Sequence, residues 1–394
     1  MSAMLPAAVL AWVIALLWVW KAVETFRGLP RVPNLLLPEF DVWPAGEPRV
    51  TVVVPARDEA DDIAACLMSL VAQDYSNLNI IAIDDRSSDG TGAIMDELAV
   101  QEPQRLSVLH VADLPAGWLG KTHALAMGAQ HAIAMHQPDY LLFTDADVMF
   151  QPQAIRRALA QAVATQADHF VLVPTPIMRT VGEAALLGFL QVMGLWAARS
   201  WRVADAKAKR DAIGIGSFNL LRTSAYLSLG GFEALRMQIV EDVTLARRVK
   251  EFGLRQRIAF APGMVSLHWA AGAMGVVKGM TKNLFAVFAF RPVVLLGACV
   301  WFAVFCLGPF AGLGFSATRL PALVTLAAIA VLYWLVRRMG GIPVWTALAF
   351  PFSAVLFLYS MLRSMVVALS AGGVTWRGTF YPLAELRRSA ERLR

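Results

Sequence analysis

The sequence predicts an α/β domain, with a mostly parallel sheet between flanking helices, that is joined to membrane-spanning helices at both ends. Hydrophobic residues make up 57% of the 394 residues and charged residues only 16%, whereas about a quarter of the residues of a soluble protein are charged. The apolar excess lies at the N-terminus and after Arg291. Between these regions, short apolar runs alternate with amphipathic segments, which is typical of parallel strands connected by helices.

The first element is an apolar run that starts at Leu5 and is followed by Lys21, Arg27 and Arg31. No positively charged stretch precedes the run and no A-x-A cleavage site follows it, which predicts an uncleaved membrane anchor. Basic residues are preferentially retained on the cytoplasmic side of a membrane, so the anchor's C-terminal side is expected there. The prolines that come next indicate a linker before the α/β domain.

The α/β pattern begins at Val50. Strands are predicted at 50–54, 78–83, 106–110, around Tyr140 and at 170–173, and helices after Asp62, after Gly90, from about Thr122 and after Asp242. In a sheet of this kind, ligands collect at the carboxyl ends of the strands. Polar clusters follow the predicted strands at 55–59, 84–90 and 145–147, and a fourth opens the helix at 241–242.

The cluster after the central strand contains Asp145 and Asp147. Residues two apart on an extended backbone point to one side, and paired carboxylates are suitable ligands for Mg²⁺ or Mn²⁺. A single Asp-x-Asp is also a common strand end or helix cap. Four polar clusters in this order are harder to explain as turns, and they predict a binding site at one edge of the sheet.

The C-terminal region contains three candidate membrane spans, at about 293–315, 321–336 and 343–369, each near the required length of about 20 residues. With one anchor, three spans place the basic tail on the side opposite the α/β domain, which violates the preference of basic residues for the cytoplasmic side. Either one apolar segment does not cross, or the tail is an exception.

The sequence resembles family 2 glycosyltransferases with the GT-A fold, from about residue 50 to residue 283. The stretches that carry the resemblance are VVVPARDEADDI, AIDDRSSDGT, TDAD and VEDVTLARRV. The membrane spans, GWLGK at 117–121 and VTWRG at 374–378 are similar to a membrane-bound branch. That branch includes hopanoid-associated and ceramide glucosyltransferase-like enzymes.

The resemblance implies an inverting, metal-dependent enzyme that moves one sugar from a nucleotide-sugar donor, with a UDP-sugar favoured, to a lipid or lipid-linked acceptor. Asp242 matches the general base, Asp147 the ligand of Mg²⁺ or Mn²⁺, and Asp145 a second metal ligand or ribose contact. The predicted nucleotide-sugar-binding residues are Pro55, Arg57, Asp58, Glu59, Asp84, Asp85, Lys121 and Asp145. The candidate contacts of the acceptor or diphosphate are Glu241, His268 and Lys282.

Several of these residues have plainer interpretations. Lys121 could equally be a surface lysine at the start of a helix. His268 and its neighbour Trp269 could anchor the protein at the membrane interface. Lys282 could be a lysine whose charged end reaches the membrane surface.

Other functions are less well supported. Processive polysaccharide synthases of this family carry a Gln-x-x-Arg-Trp motif after the base, and the corresponding region here reads GMTKN. A transporter would need ionisable residues within its spans, and the C-terminal segments offer little beyond Arg363. A non-catalytic protein that binds sugar nucleotides remains an alternative. No nucleic-acid partner is expected, because the basic residues cluster beside apolar segments and favour lipid headgroups.

The predicted organisation is a multi-pass protein of the cytoplasmic membrane with its catalytic domain in the cytoplasm. Its units are an anchor at 1–25, a linker at 26–49, a GT-A domain at 50–268, an interfacial segment at 269–291, a membrane region at 292–370 and a basic tail at 371–394.

Overall fold

The computed structural model describes residues 4–392. Residues 1–3 and 393–394, at the outer ends of the predicted anchor and basic tail, lie outside the described residues. The strands are β1 Val50–Ala56, β2 Leu78–Asp84, β3 Leu106–His110, β4 Tyr140–Phe143, β5 Val148–Phe150, β6 His169–Val173, β7 Thr175–Pro176, β8 Asn219–Arg222, β9 Gln256–Phe260, β10 Val265–Leu267, β11 Gly373–Trp376 and β12 Thr379–Pro382. The helices are α1 Met4–Gly28, α2 Ile63–Val71, α3 Thr91–Gln101, α4 Gly120–His136, α5 Ala154–Ala164, α6 Val181–Ala197, α7 Thr223–Ser228, α8 Glu241–Glu251, α9 Gly272–Thr281, α10 Leu284–Val287, α11 Pro292–Phe302, α12 Gly308–Gly312, α13 Ser316–Gly340, α14 Phe350–Ser370 and α15 Leu383–Arg392.

The central sheet has seven strands in the order β3-β2-β1-β4-β8-β6-β9. All neighbours run parallel except β8, which is antiparallel to both β4 and β6. Every residue of β1 is buried, as expected for a strand rich in β-branched residues in the middle of a parallel sheet covered on both faces. The predicted α/β class and mostly parallel sheet are confirmed.

The strand register brings the predicted polar clusters to one edge of the sheet. Ala56 of β1 pairs with Asp84 of β2, and Val53 of β1 pairs with Phe143 of β4. The loops after these three strands therefore emerge side by side, which is the position where parallel α/β sheets bind ligands. A small sheet in the order β5-β10-β7, which the sequence did not predict, follows directly after Asp147.

Three apolar clusters hold this arrangement together. One packs α2 and α5 on one face of the central sheet, and a second packs α4 and α8 on the other. The third joins α1, α6, α9, α11, α13 and α14, and at its centre the buried Trp18 stacks on Phe305 with 4.9 Å between ring centroids. The helices of the third cluster expose many large apolar side chains to their surroundings, as helices in contact with lipid do.

Five helical segments of residues 4–392 are long and apolar enough to span a membrane: Leu5–Arg31, Val181–Arg202, Pro292–Gly312, Ser316–Arg337 and Val344–Ser370. The sequence analysis missed the second of these, which contains α6. It lies between β7 and β8, so it connects two strands of the domain.

The C-terminal tail packs directly on the α/β domain. Gly120 N–H donates to Tyr381 Oη at 3.1 Å, and Gln238 Nε2 donates to Ser389 Oγ at 2.7 Å. The tail and the domain therefore lie on the same side of a bilayer, and the chain between them crosses it an even number of times.

The contacts of α13 and α14 show which of their ends lie beside the domain. The end of α13 returns to the domain, because Gly340 lies beside Pro176 of β7 and Gln191 of α6. The end of α14 is also on the domain side, where Ser364 Oγ donates to Thr281 O in α9. The continuous apolar segment of α11 and α12 thus leaves the domain, α13 returns to it, and α14 ends beside α9.

Candidate active site

Two adjoining cavities lie at the carboxyl ends of β1, β2 and β4. The smaller, of about 180 Å³, is enclosed by the loops after these strands, the start of α4 and the hairpin formed by β11 and β12. The larger, of about 610 Å³, extends past Asp242 to Leu187 of α6 and to Trp269. They form one continuous site, because both are lined by Lys121, Asp145, Asp147, Lys282, Trp376 and Arg377.

Asp145 and Asp147 lie where the sequence predicts them, directly after β4, and both face the two cavities. Ala146 between them is buried. Burial, and then the negative charge of Asp145, raise the pKa of Asp147 to about 6. A carboxylate whose charge is disfavoured in this way is stabilised when a cation is brought beside it.

Lys121, in the first turn of α4, is a fixed cation between two acidic side chains. Its Nζ atom is 2.6 Å from Asp145 Oδ1 and 2.7 Å from Oε1 of the buried Glu241. Burial lowers the pKa of Lys121, but the charges of Asp145, Glu241 and Asp242 outweigh burial and raise this pKa well above its ordinary value. Lys121 therefore stays charged and ties the loop after β4 to the start of α8.

Asp242, the predicted base, is held at the start of α8 by two backbone donors. Its Oδ2 accepts from Gly216 N–H at 2.9 Å and its Oδ1 from Val243 N–H at 2.7 Å. A Cβ at Gly214 would lie 1.9 Å from the Asp242 carbonyl oxygen, and one at Gly216 would lie 2.6 Å from Asp145 Oδ2. The backbone at 214–216 therefore approaches both acidic residues at a distance that only glycine allows.

The surroundings of Asp242 favour proton uptake near neutral pH. Burial and the charge of Glu241 raise the pKa of Asp242 to about 7, against the opposing charge of Lys121. A general base is most effective when its pKa lies near the working pH, because it must be deprotonated and still attract a proton.

Asp85 is the acidic residue of the β2 loop that lines the smaller cavity. It is 3% exposed, and both of its oxygens accept from Arg86, from Nε at 2.8 Å and from Nη2 at 3.2 Å. A Cβ at Gly120 would lie 2.3 Å from Asp85 Oδ2. The glycine that opens α4 therefore leaves room for this carboxylate.

Asp58 and Asp84 are turned toward the protein and are not among the groups that line the two cavities. Asp58 Oδ1 accepts from Ser88 N–H at 2.7 Å. Asp84 Oδ1 accepts from Ser87 N–H at 3.1 Å, and its Oδ2 is 3.1 Å from His110 Nδ1. Both side chains hold the β2 loop in place, and their contact with a nucleotide stays a prediction.

The tail hairpin closes the smaller cavity and contributes Trp376, Arg377 and Tyr381 to it. Sequence reasoning missed these three residues as site residues. The stretch VTWRG could have indicated Trp376 and Arg377, and no signal indicated Tyr381. Arg377 forms an ion pair with Glu59.

Pro55, Arg57 and Glu59 line the smaller cavity opposite the hairpin. Arg57 Nη1 donates to Thr379 Oγ1 at 3.2 Å, which fastens the hairpin to the loop after β1. Burial raises the pKa of Glu59 to about 7, against the charge of Arg377. The loop and the hairpin are therefore joined by the Glu59–Arg377 ion pair as well as by the hydrogen bond of Arg57.

Lys282 lies in the site, whereas His268 is turned away from it. Lys282 Nζ is 3.8 Å from the centroid of a ring of Trp376, and burial followed by the charge of Lys121 lowers the pKa of Lys282 to about 8. His268 Nε2 is 3.4 Å from an oxygen of Glu183. Its neighbour Trp269 lines the larger cavity instead.

The mostly parallel sheet, with acidic side chains at the carboxyl ends of its strands, agrees with the fold expected for a sugar transferase. Comparison with known proteins agrees. Residues 51–226 match the family described as Glycosyl transferase family 2. The chain therefore carries a family 2 glycosyltransferase domain of the GT-A fold, and it is a glycosyltransferase.

The relatives are distant. The chain is 32% identical to the polyprenol monophosphomannose synthase of Mycolicibacterium smegmatis over 124 residues, which cover 30% of this chain and 43% of that protein. It is 25% identical to the succinoglycan biosynthesis protein ExoA of Rhizobium meliloti over 245 residues, 59% of this chain and 69% of that one. A solved mannosyltransferase of Pyrobaculum calidifontis shares the fold, with a TM-score of 0.55 at 18% identity over 94% of this chain and 97% of that chain.

Proposed function

We propose that this protein transfers one sugar, with inversion, from a nucleotide-sugar donor to a lipid or lipid-linked acceptor at the membrane surface. The observation that carries the proposal is the position of Asp242. On one side of it, the site contains the paired carboxylates Asp145 and Asp147. On the other side of it, the larger cavity continues to Leu187 and Trp269, beside helices of the third apolar cluster.

The donor site fits a divalent cation. Asp147 and Asp145 would hold it, because both carboxyl groups face the cavities. Residues 4–392 contain no group of three or more His, Cys, Asp or Glu side chains that could hold a metal by themselves, so donor oxygens and water would complete the shell. When bound, Mg²⁺ or Mn²⁺ supplies positive charge to the departing diphosphate. The archaeal mannosyltransferase was solved with GDP-Man and Mn²⁺.

The chain's own residues account for the proton and the leaving group. The acceptor hydroxyl attacks the anomeric carbon from the side opposite the diphosphate, and the carbon–oxygen bond to the diphosphate breaks as the new bond forms. Asp242 takes the hydroxyl proton, with its carboxylate oriented by the N–H groups of Gly216 and Val243. Lys282 and Arg377, which face the same cavities, supply positive charge to the nucleoside diphosphate.

The course of the larger cavity supports a lipid acceptor. The cavity's far wall includes Leu187 of α6, Gly279 of α9 and Trp269, which precedes α9. Helix α9 also exposes Met274. An acceptor hydroxyl at headgroup depth can reach Asp242 along this wall while its apolar chain stays in the bilayer. The mycolicibacterial relative is named for a polyprenol product, which supports a lipid acceptor here.

A donor screen on membranes containing the protein tests this function. We expect release of UDP or GDP from one nucleotide-sugar, together with a lipid whose mass has increased by one sugar. A ladder of products differing by one sugar each would instead indicate processive synthesis. No nucleotide release from any donor, with lipids unchanged, would indicate a binding protein without transferase activity.

Arg377→Ala is expected to raise the KM for the donor by about tenfold or more, because one charge-assisted hydrogen bond to a phosphate contributes about 1.5–3 kcal/mol. The measurement is steady-state kinetics with varied donor. Arg388→Ala, in the same tail but outside the two cavities, is the matched control and should leave KM unchanged. An unchanged KM in Arg377→Ala would remove Arg377 from the donor site.

If the α/β domain is cytoplasmic and α11 and α12 lead away from it across the membrane, single cysteines should differ in their reaction with a membrane-impermeant thiol reagent. In a background without Cys66, Cys299 and Cys306, we expect Phe315→Cys to react from outside intact cells, because the exposed Phe315 lies at the turn between α12 and α13. Asp96→Cys and Ser389→Cys, on the domain and on the tail that packs against it, should react only after lysis. Reaction of Asp96→Cys from outside would contradict a cytoplasmic domain and a cytoplasmic donor.

A further inference from the structure

A third cavity, of about 370 Å³, lies between α9, α14 and β11, outside the two cavities of the active site. The described residues that line it include four cations, Lys278, Lys282, Arg363 and Arg377, and no carboxylate. It adjoins the larger cavity, because Gly279, Lys282 and Trp376 line both. A concave surface with one sign of charge and no internal counter-charge attracts anions.

Two of these cations have no role in the active site and no acidic partner. Arg377 pairs with Glu59, and Lys282 lies over Trp376. For Lys278 and Arg363, no ion pair with an acidic side chain is found in residues 4–392. Arg363 Nε is 3.3 Å from Thr281 Oγ1, whereas a guanidinium has five N–H donors to satisfy.

The position of Arg363 on α14 shows what the cavity faces. Large apolar side chains are exposed along α14 at intervals of three and four residues, at Phe352, Val355, Tyr359, Leu362, Val366 and Leu369. An exposed apolar stripe on a helix of this length and hydropathy is suited to contact with lipid. Arg363 follows Leu362 directly, and Val367, which is 40% exposed, also lines the cavity. The cavity therefore borders the lipid-facing surface.

We propose that this cavity binds the phosphate group of an anionic membrane lipid, with Arg363 and Lys278 as the groups that contact it. The lipid's chains would lie along the apolar stripe of α14. An intramembrane cation beside hydrocarbon is costly unless an anion or water satisfies it, and a lipid phosphate at headgroup depth supplies that anion. The bound lipid would hold the entrance of the larger cavity at the membrane surface. This site does not depend on the identity of the donor or acceptor.

Native mass spectrometry of the full-length protein in detergent, titrated with phosphatidylglycerol or with phosphatidylcholine of the same chains, tests the proposal. We expect one phosphatidylglycerol to bind about tenfold or more tightly than phosphatidylcholine. The double variant Arg363→Ala, Lys278→Ala should lose about 25-fold in affinity, since each cation near the membrane surface contributes about fivefold. Inorganic phosphate at millimolar concentration should not displace the lipid.

Three further variants make the outcome decisive. Arg363→Lys keeps the charge and should bind within a few-fold of wild type. Lys278→Glu changes only an exposed side chain of α9, so this variant should fold. Its affinity for phosphatidylglycerol should nevertheless be lower than that of the wild type. Arg319→Ala removes a cation of α13 whose Nε donates to Leu313 O at 3.1 Å, outside the cavity, and should have no effect. Equal affinity for the two lipids, wild-type binding by the double variant, or displacement by inorganic phosphate would each overturn the proposal.

Discussion

Asp242→Asn is expected to lower kcat for sugar transfer by about 10²- to 10⁴-fold, the usual contribution of a general base, while donor affinity changes little. Asparagine has the same shape and can still accept from Gly216 N–H, but it cannot take the acceptor's proton. The variant should also fold, because the raised pKa of Asp242 shows that burial disfavours its charged form, and a neutral amide removes that cost.

The pH profile separates this role from a structural one. A base with a pKa raised to about 7 is active only when deprotonated, so kcat/KM of the wild type should rise with pH through this value. The residual activity of Asp242→Asn should lack that dependence. Glu251→Gln, at the other end of α8, serves as the control and should retain wild-type kinetics. A parallel loss of donor affinity, measured by calorimetry with the nucleoside diphosphate, would assign Asp242 to donor binding instead.

The sequence was sufficient to predict the strand ends of the site, and there is a physical reason. Parallel strands buried on both faces are continuous apolar runs, and their carboxyl ends meet at one edge. The predicted strand at 50–54 corresponds to β1 Val50–Ala56 and that at 78–83 to β2 Leu78–Asp84. Once these boundaries are known, the proximity of Asp85 and Asp145 follows from topology.

Side-chain direction did not follow from topology. Asp84 and Asp85 are adjacent in the chain, yet Asp85 lines the smaller cavity whereas Asp84 is bonded to Ser87 and lies next to His110. The partner of Asp84 comes from the neighbouring strand β3, since Asp84 pairs with His110 in the sheet register. No pattern within the β2 loop itself distinguishes these two carboxyl groups.

The tail hairpin could not be predicted because it depends on contacts across some three hundred residues. Arg57 donates to Thr379, and Gly120 donates to Tyr381. Local periodicity carries no information about such pairings. The preference of basic residues for the cytoplasmic side predicted that the tail and the domain lie on the same side, and the tail does pack on the domain.

Asp147→Asn is expected to reduce sugar transfer by about 10³-fold or more. A divalent cation contributes several kcal/mol of charge stabilisation in the transition state, and each 1.4 kcal/mol corresponds to about tenfold in rate. An amide oxygen is a weaker ligand for a hard cation than a carboxylate. The variant should keep or increase its thermal stability, because burial and Asp145 raise the pKa of Asp147 and asparagine carries no charge.

The control is Asp61→Asn, which changes an exposed carboxylate before α2. Turnover is measured with Mg²⁺ and with Mn²⁺, and Mn²⁺ binding is followed by electron paramagnetic resonance with the nucleoside diphosphate present. Weaker Mn²⁺ binding together with lost turnover supports the metal-ligand role, whereas wild-type turnover at saturating metal would show that Asp147 is not a ligand.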